Sequence, residues 1–298
     1  GTEHVRARQR GQCRETAGFF LMQLGDVAAA APLIAECLAL ARSTGDLRLL
    51  RHTLQTRGSL AIAQRDFARA MALHVEAEHV ARAVAAASPN GGLFIGAQLW
   101  LQGQVAQKAG DTTTAMARLA EAIPYLRAPG GSRRLGMVLG ELWAIQIMTG
   151  SLDDAATNLL QSVAMTWHTH YETALARSLR GVCAAASVTD QGMTGAQLLG
   201  AADTMSARAP FLSARAAPDR DLVEWCVTRL AQQLEPGELD RARRLGARLE
   251  AAQAVARARE VVRQVLGADR VLEIWRETAA PDPGPAPTFS HLERSPVH

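Results

Sequence analysis

The chain is 298 residues long and 48% hydrophobic but only 4% aromatic, so a sizeable core has to be built mostly from Ala, Leu, Val and Ile, a composition that suits close helix packing. Its 32 basic and 29 acidic residues are interspersed and leave a net charge of +3, so no nucleic-acid-binding stripe is implied. Cys13, Cys37, Cys183 and Cys226 follow no CxxC or CxxH spacing and read as reduced thiols of a cytoplasmic protein, while the most apolar run, Val27 to Ala41, is broken by Pro32 and Glu36 and falls short of the ~20 residues of a bilayer span.

Taken in order, the chain repeats one grammar four times. Gly18 and Gly25 are followed by Ala30, Gly58 and Arg65 by Ala70, Gly103 and Gly110 by Ala115, and Trp143 and Gly150 by Ala155. Equivalent positions lie 40, 45 and 40 residues apart. The spacing predicts helices over 5–24, 27–43, 47–64, 67–87, 93–109, 112–127, 133–149 and 152–168. Gly25-Asp26, Gly110-Asp111 and Gly150-Ser151 each place a residue that tolerates left-handed backbone before a helix N-cap, whereas Arg65-Asp66 keeps the cap without the glycine. Pro32 lies about one turn into the second helix, which is expected to start late or bend there. A fifth pair is expected over 172–187 and 194–207, around Thr189-Asp190-Gln191-Gly192.

Small residues at fixed spacing, where two antiparallel helices must touch, resemble the tetratricopeptide repeat, with a period longer than its usual ~34 residues. The expected fold is therefore all-α: a tetratricopeptide-like right-handed superhelix of antiparallel helix pairs over 1–209, a helical cap over 210–278, and a Pro-rich tail or disordered linker over 279–298. A narrower resemblance follows in Ala196-Gln197-Leu198-Leu199-Gly200-Ala201-Ala202, then Leu234-Glu235-Pro236-Gly237-Glu238-Leu239-Asp240, then Arg244-Leu245-Gly246-Ala247-Arg248-Leu249-Glu250. These segments resemble the end of the tetratricopeptide region in large bacterial ATP-binding transcriptional regulators of the LuxR and antibiotic-regulator types, relatives of the maltose regulator.

That resemblance implies a sensor domain which binds a small-molecule inducer or a protein or peptide partner and controls effector domains outside this chain. The alternative is a free-standing scaffold joining protein partners. Such regulators carry an upstream ATPase and often a downstream DNA reader. Neither motif is in these residues: there is no phosphate loop of the G-x-x-x-x-G-K-[ST] kind, and Lys108 is the sole lysine. Gly1 is expected to begin an excised piece of a longer polypeptide, since no initiator Met or signal pattern precedes it.

No G-x-S-x-G elbow, no H-E-x-x-H and no strand-to-helix glycine turn is present, so neither an enzyme nor a bound cofactor or metal is expected. His168 and His170, two residues apart in Trp167-His168-Thr169-His170-Tyr171, would point about 200° apart on a helix and read as a helix-end packing cluster. His74 reads as a satisfied interior histidine. In arrays of this kind the first helix of each pair lines a concave face. Its groove-facing positions are Gln12, Glu15 and Phe19; His52, Gln55 and Ser59; Trp100, Gln104 and Gln107; Met137, Gly140, Ala144 and Ile147; then Arg177 and Arg180. Amide, aromatic and charged groups on one wall suit a peptide or polar small molecule, and a merely solvated face is the competing reading. Trp143 stands where other pairs have Gly, so the fourth pair is expected to splay or slip, either opening a pocket beside Trp100 and Trp143 or being filled by Leu and Met. Neither direct nucleic-acid binding nor membrane association is expected of these residues.

Overall fold

The computed structural model describes residues 2–86, 88, 90–170, 172–208 and 219–278. Among these, 86% are helical, in 14 helices, and none lies in a strand. Five antiparallel pairs come first: α1 (Thr2–Gln23) with α2 (Val27–Thr44), α3 (Leu47–Ala63) with α4 (Phe67–Ala85), α5 (Gly91–Lys108) with α6 (Thr112–Leu126), α7 (Ser132–Thr149) with α8 (Leu152–His168), and α9 (Glu172–Val188) with α10 (Gly192–Arg208). Each second helix also packs on the first helix of the next pair, which makes a continuous array. The Pro-rich tail and residues 209–218 lie outside the described residues.

One turn geometry recurs in all five pairs. Each pair closes with the same backbone bond from the residue after the turn to a carbonyl five back: Asp26 to Leu21, Asp66 to Ala61, Asp111 to Ala106, Ser151 to Gln146 and Gln191 to Ala186. Such a closure requires positive φ at the turn residue. Gly25, Gly110 and Gly150 supply it at φ 85°, 83° and 86°, and Arg65 and Asp190 are held there too, at 60° and 55°. The fifth pair thus obeys the period through Asp190, without a glycine. Asp26, Asp46, Asp66 and Asp111 then cap the following helices by accepting the backbone N–H of Ala29, Leu49, Arg69 and Thr114 at 3.0–3.1 Å. Because Asp26 caps α2 directly, that helix starts at Val27 and continues through Pro32, so of the late start or bend expected from sequence the late start does not occur.

Inside each pair the small residues meet a side chain sixteen positions on. A Cβ at Gly18 would press on Ile34, at Gly58 on the His74 ring and at Gly103 on Leu119. Ala30, Ala70, Ala115 and Ala155 are completely buried at the same contact. Trp143 breaks this rule, and of the two outcomes expected there, an opened pocket or a filled contact, it takes the filled one. It is 1% exposed, and its indole leaves its own pair to lie against Gly181 on α9, where a Cβ would sit inside the ring. The missing side chain at Gly181 is the physical reason the fourth pair accommodates a tryptophan.

Four further helices, α11 (Asp219–Gln233), α12 (Glu238–Gly246), α13 (Ala251–Leu266) and α14 (Ala268–Thr278), complete the described chain. They double back along the array: α12 crosses α10, while α13 and α14 pack on α8. At the α10–α12 crossing Gly200 and Gly246 of the quoted motifs each face the opposite backbone. A Cβ on Gly200 would collide with the Arg243 carbonyl, and one on Gly246 with that of Gln197. The doubling back merges Trp143 through Ile274 into one apolar core, whereas the first two pairs hold several small clusters. Buried Glu15, Thr53, Thr56, His74 and Glu78 interrupt the apolar packing there.

α2 is the one helix among the described residues with the length and hydropathy of a membrane span. Its Ala30, Ile34, Cys37 and Ala41 face is buried against α1 and α3, and its outer Glu36 and Arg42 pair with Arg14 and Glu76.

Candidate functional site

The first helices of successive pairs are tied to one another by polar rungs, and six of the expected groove residues, Glu15, His52, Gln55, Trp100, Gln104 and Arg177, are members of them. Between α1 and α3, Glu15 accepts from Thr56 Oγ1 at 2.8 Å and pairs with His52 Nδ1 at 2.8 Å. Between α3 and α5, Gln98 Nε2 donates to Gln55 Oε1 at 3.0 Å. Between α5 and α7, Trp100 Nε1 donates to Glu141 Oε2 at 2.9 Å and Gln104 Nε2 to Glu141 Oε1 at 2.6 Å. Between α7 and α9, Arg177 reaches the same Oε1 at 3.0 Å. The rungs run from the first pair to the fifth.

Glu141 is the centre of this arrangement. Its side chain is 1% exposed, and that of Arg177 only 11%. Burial pushes the Glu141 carboxyl above its ordinary range, opposed by the Arg177 charge and by the Gln104 and Trp100 donors. A carboxylate in such a place persists because each oxygen receives a donor, and removing the Arg177 guanidinium would leave the buried Glu141 charge poorly compensated, at a cost of about 3–5 kcal/mol. Trp100 and Gln104 of the third pair and Arg177 of the fifth are thereby fixed side by side and half-buried.

A second polar layer lies behind the rungs. His74 on α4 is fully buried, with Nδ1 at 3.4 Å from Gln98 Oε1. Its Nε2 has no partner, so the interior histidine expected from sequence is only half satisfied. Burial lowers its pKa to about 4, the Gln98 contact opposing. Glu78 receives Gln102 Nε2 at 2.7 Å and Arg82 at 2.7 Å. Burial would raise the Glu78 and Glu15 carboxyls, yet Gln102 with Arg82, and His52 with Thr56, outweigh it and hold both below the usual range.

The remaining expected groove residues separate from this centre. Gln107 is half-buried on α5 beyond Gln104. Arg180 turns toward α10, donating to Ser206 Oγ at 2.9 Å and pairing with Asp203, which also holds Arg243 of α12. Trp143, enclosed against Gly181, is core rather than wall. His52, with its side chain 49% exposed, is the open end of the first rung. His168 ends α8 and its ring lies 5.9 Å from that of Trp275 on α14, a packing cluster, and no group of three or more candidate metal ligands occurs among the described residues.

Sequence reasoning missed Glu141, Gln98 and Glu78. The available signal was a lone carboxylate within an otherwise apolar helix, Leu135-Gly136-Met137-Val138-Leu139-Gly140-Glu141-Leu142-Trp143. Chemically the site offers amide, indole, imidazole and guanidinium groups on one face. No protein-family model matches the chain, and no curated protein matches it either.

Proposed function

We propose that this chain is the sensor domain of a cytoplasmic transcriptional regulator, binding a polar small-molecule inducer or a peptide partner on the inner face of its first helices and acting on effector domains encoded beyond it. The observation that carries this reading is the convergence of Trp100 and Gln104 from the third pair and Arg177 from the fifth on the single buried carboxylate of Glu141 in the fourth. A ligand amide or carboxylate that takes over one of these donors alters the contact between neighbouring pairs, and stacked repeats convert small changes of that kind into a change of pitch. The resemblance over 196–256 supports the regulatory setting, and the Gly200–Gly246 crossing gives its quoted residues a packing role.

The experiment is a reporter assay on the intact gene with its natural flanking sequence. Trp100→Ala and Gln104→Ala are expected to abolish or desensitise the inducer response while the protein accumulates normally. An unaltered response in both variants removes the inner face from the mechanism.

A further inference from the structure

A second candidate site lies away from the rungs. Between α2, α3 and the start of α4 is a cavity of about 330 Å3 whose walls include Pro32, Ala35, Arg57, Leu60, Gln64 and Arg69. Its volume falls at the lower end of the ~300–1,000 Å3 typical of small-molecule sites. Arg57 lies roughly 140° around α3 from His52, so this cavity opens on a different face from the groove.

The floor is apolar, with Ile34, Leu60 and Ala61 buried beneath it. The polar lining is different in kind. Arg57 is half-buried, and the charges acting on it are those of Arg69 and Arg42, both positive; with burial first, they lower its pKa. Neighbouring acidic groups are already engaged: Glu36 with Arg14 at 2.8 Å, Glu76 with Arg42 at 2.7 Å, and Asp66 with the Arg69 backbone N–H at 3.1 Å. Among the described residues neither Arg57 nor Arg69 has a carboxylate partner. A guanidinium does not escape such a position by losing its proton, so two like charges remain together at the rim of an apolar hollow.

We infer that this cavity binds an organic oxyanion with a short aliphatic body, its head held between Arg57 and Arg69 and its chain lying on Pro32, Ala35 and Leu60. Guanidinium forks match carboxylate and phosphate heads alike, and the aliphatic part removes the exposed alanine and proline surface from water. The occupant is small and amphiphilic, distinct in chemistry from the polar ligand of the inner face, and its binding does not depend on that reading.

The test is isothermal titration calorimetry on the full chain with octanoate and octyl phosphate, using acetate and 1-octanol as head-only and body-only probes. At least one amphiphile should bind, with acetate and 1-octanol each weaker by about tenfold or more, and the better amphiphile identifies the head group. Arg57→Gln should weaken that amphiphile by about tenfold, and Ala35→Trp or Gln64→Trp, both at exposed positions, should fill the hollow and abolish binding with unchanged circular dichroism. Failure of both amphiphiles to bind, equal binding of 1-octanol, or undiminished binding by Arg57→Gln or by both tryptophan variants overturns the inference.

Discussion

His74→Leu is a substitution whose sign should change what acid does to this protein. His74 fills the position taken by Ile34 in the first pair and Leu119 in the third, opposite Gly58, so a leucine side chain has room there by the geometry of the array itself. The imidazole is buried neutral, with a folded pKa of about 4 against an ordinary 6.5. A depressed pKa means that the unfolded chain binds the proton more readily, so the stability from this group is complete above pH 6.5 and is lost as pH falls toward 4. The shift corresponds to about 3 kcal/mol in full and about 2 kcal/mol by pH 5. At pH 7 leucine removes the unpartnered Nε2 and a long contact to Gln98, which keeps its bond to Gln55; the expected change is between zero and about 1 kcal/mol of stabilisation. Urea denaturation followed by circular dichroism at pH 7 and pH 5 measures both numbers. Carboxylates such as Glu15 and Glu78 weaken parent and variant alike in acid, so the relevant quantity is the gap between them, which should widen by about 2 kcal/mol in favour of leucine. A gap independent of pH would mean that His74 titrates as an exposed histidine does, and would refute the buried polar layer.

Three other outcomes follow from the same geometry. Glu141→Leu takes from Arg177, Trp100 and Gln104 the buried acceptor they share and should cost about 3–5 kcal/mol by thermal or urea unfolding, with Glu141→Gln costing less than half of that. Arg65→Gly relieves a side chain held at φ 60° in a turn where three other pairs use glycine and should stabilise by about 1 kcal/mol in the same assay. Duplex DNA should bind this chain no more tightly than the non-specific range of about 10⁻⁴–10⁻⁶ M at physiological salt in a fluorescence anisotropy titration, and tight sequence-selective binding would move a DNA reader into these residues.

The pair boundaries were legible because turn and contact chemistry are local. Gly25, Gly110 and Gly150 mark left-handed turns, and Ala30, Ala70, Ala115 and Ala155 mark the contact five residues on; Arg65 and Asp190 could be placed by period although their side chains do not favour the conformation. At Trp143 the sequence leaves pocket and filled contact open for a reason of the same kind. The period assigns it a position in its own pair, but where a large ring goes depends on the neighbouring helix, and only packing reveals that Gly181 leaves space. Glu141 was hidden because apolar flanks say that a helix face is buried without saying that three donors from α5 and α9 arrive there. The return of α13 and α14 onto α8 is a contact across about a hundred residues, beyond the reach of periodicity.

Trp100 reports on the inner face, because its indole belongs to the Glu141 cluster and is half-buried. Recognition on that face is therefore measured by a metabolite and peptide screen using tryptophan fluorescence and thermal shift, with every hit titrated against parent and Trp100→Ala. Ligands of this face should lose roughly 1–3 kcal/mol of affinity in the variant while its helical content is retained. Hits that bind parent and variant equally well would contradict the account and place recognition elsewhere on the molecule.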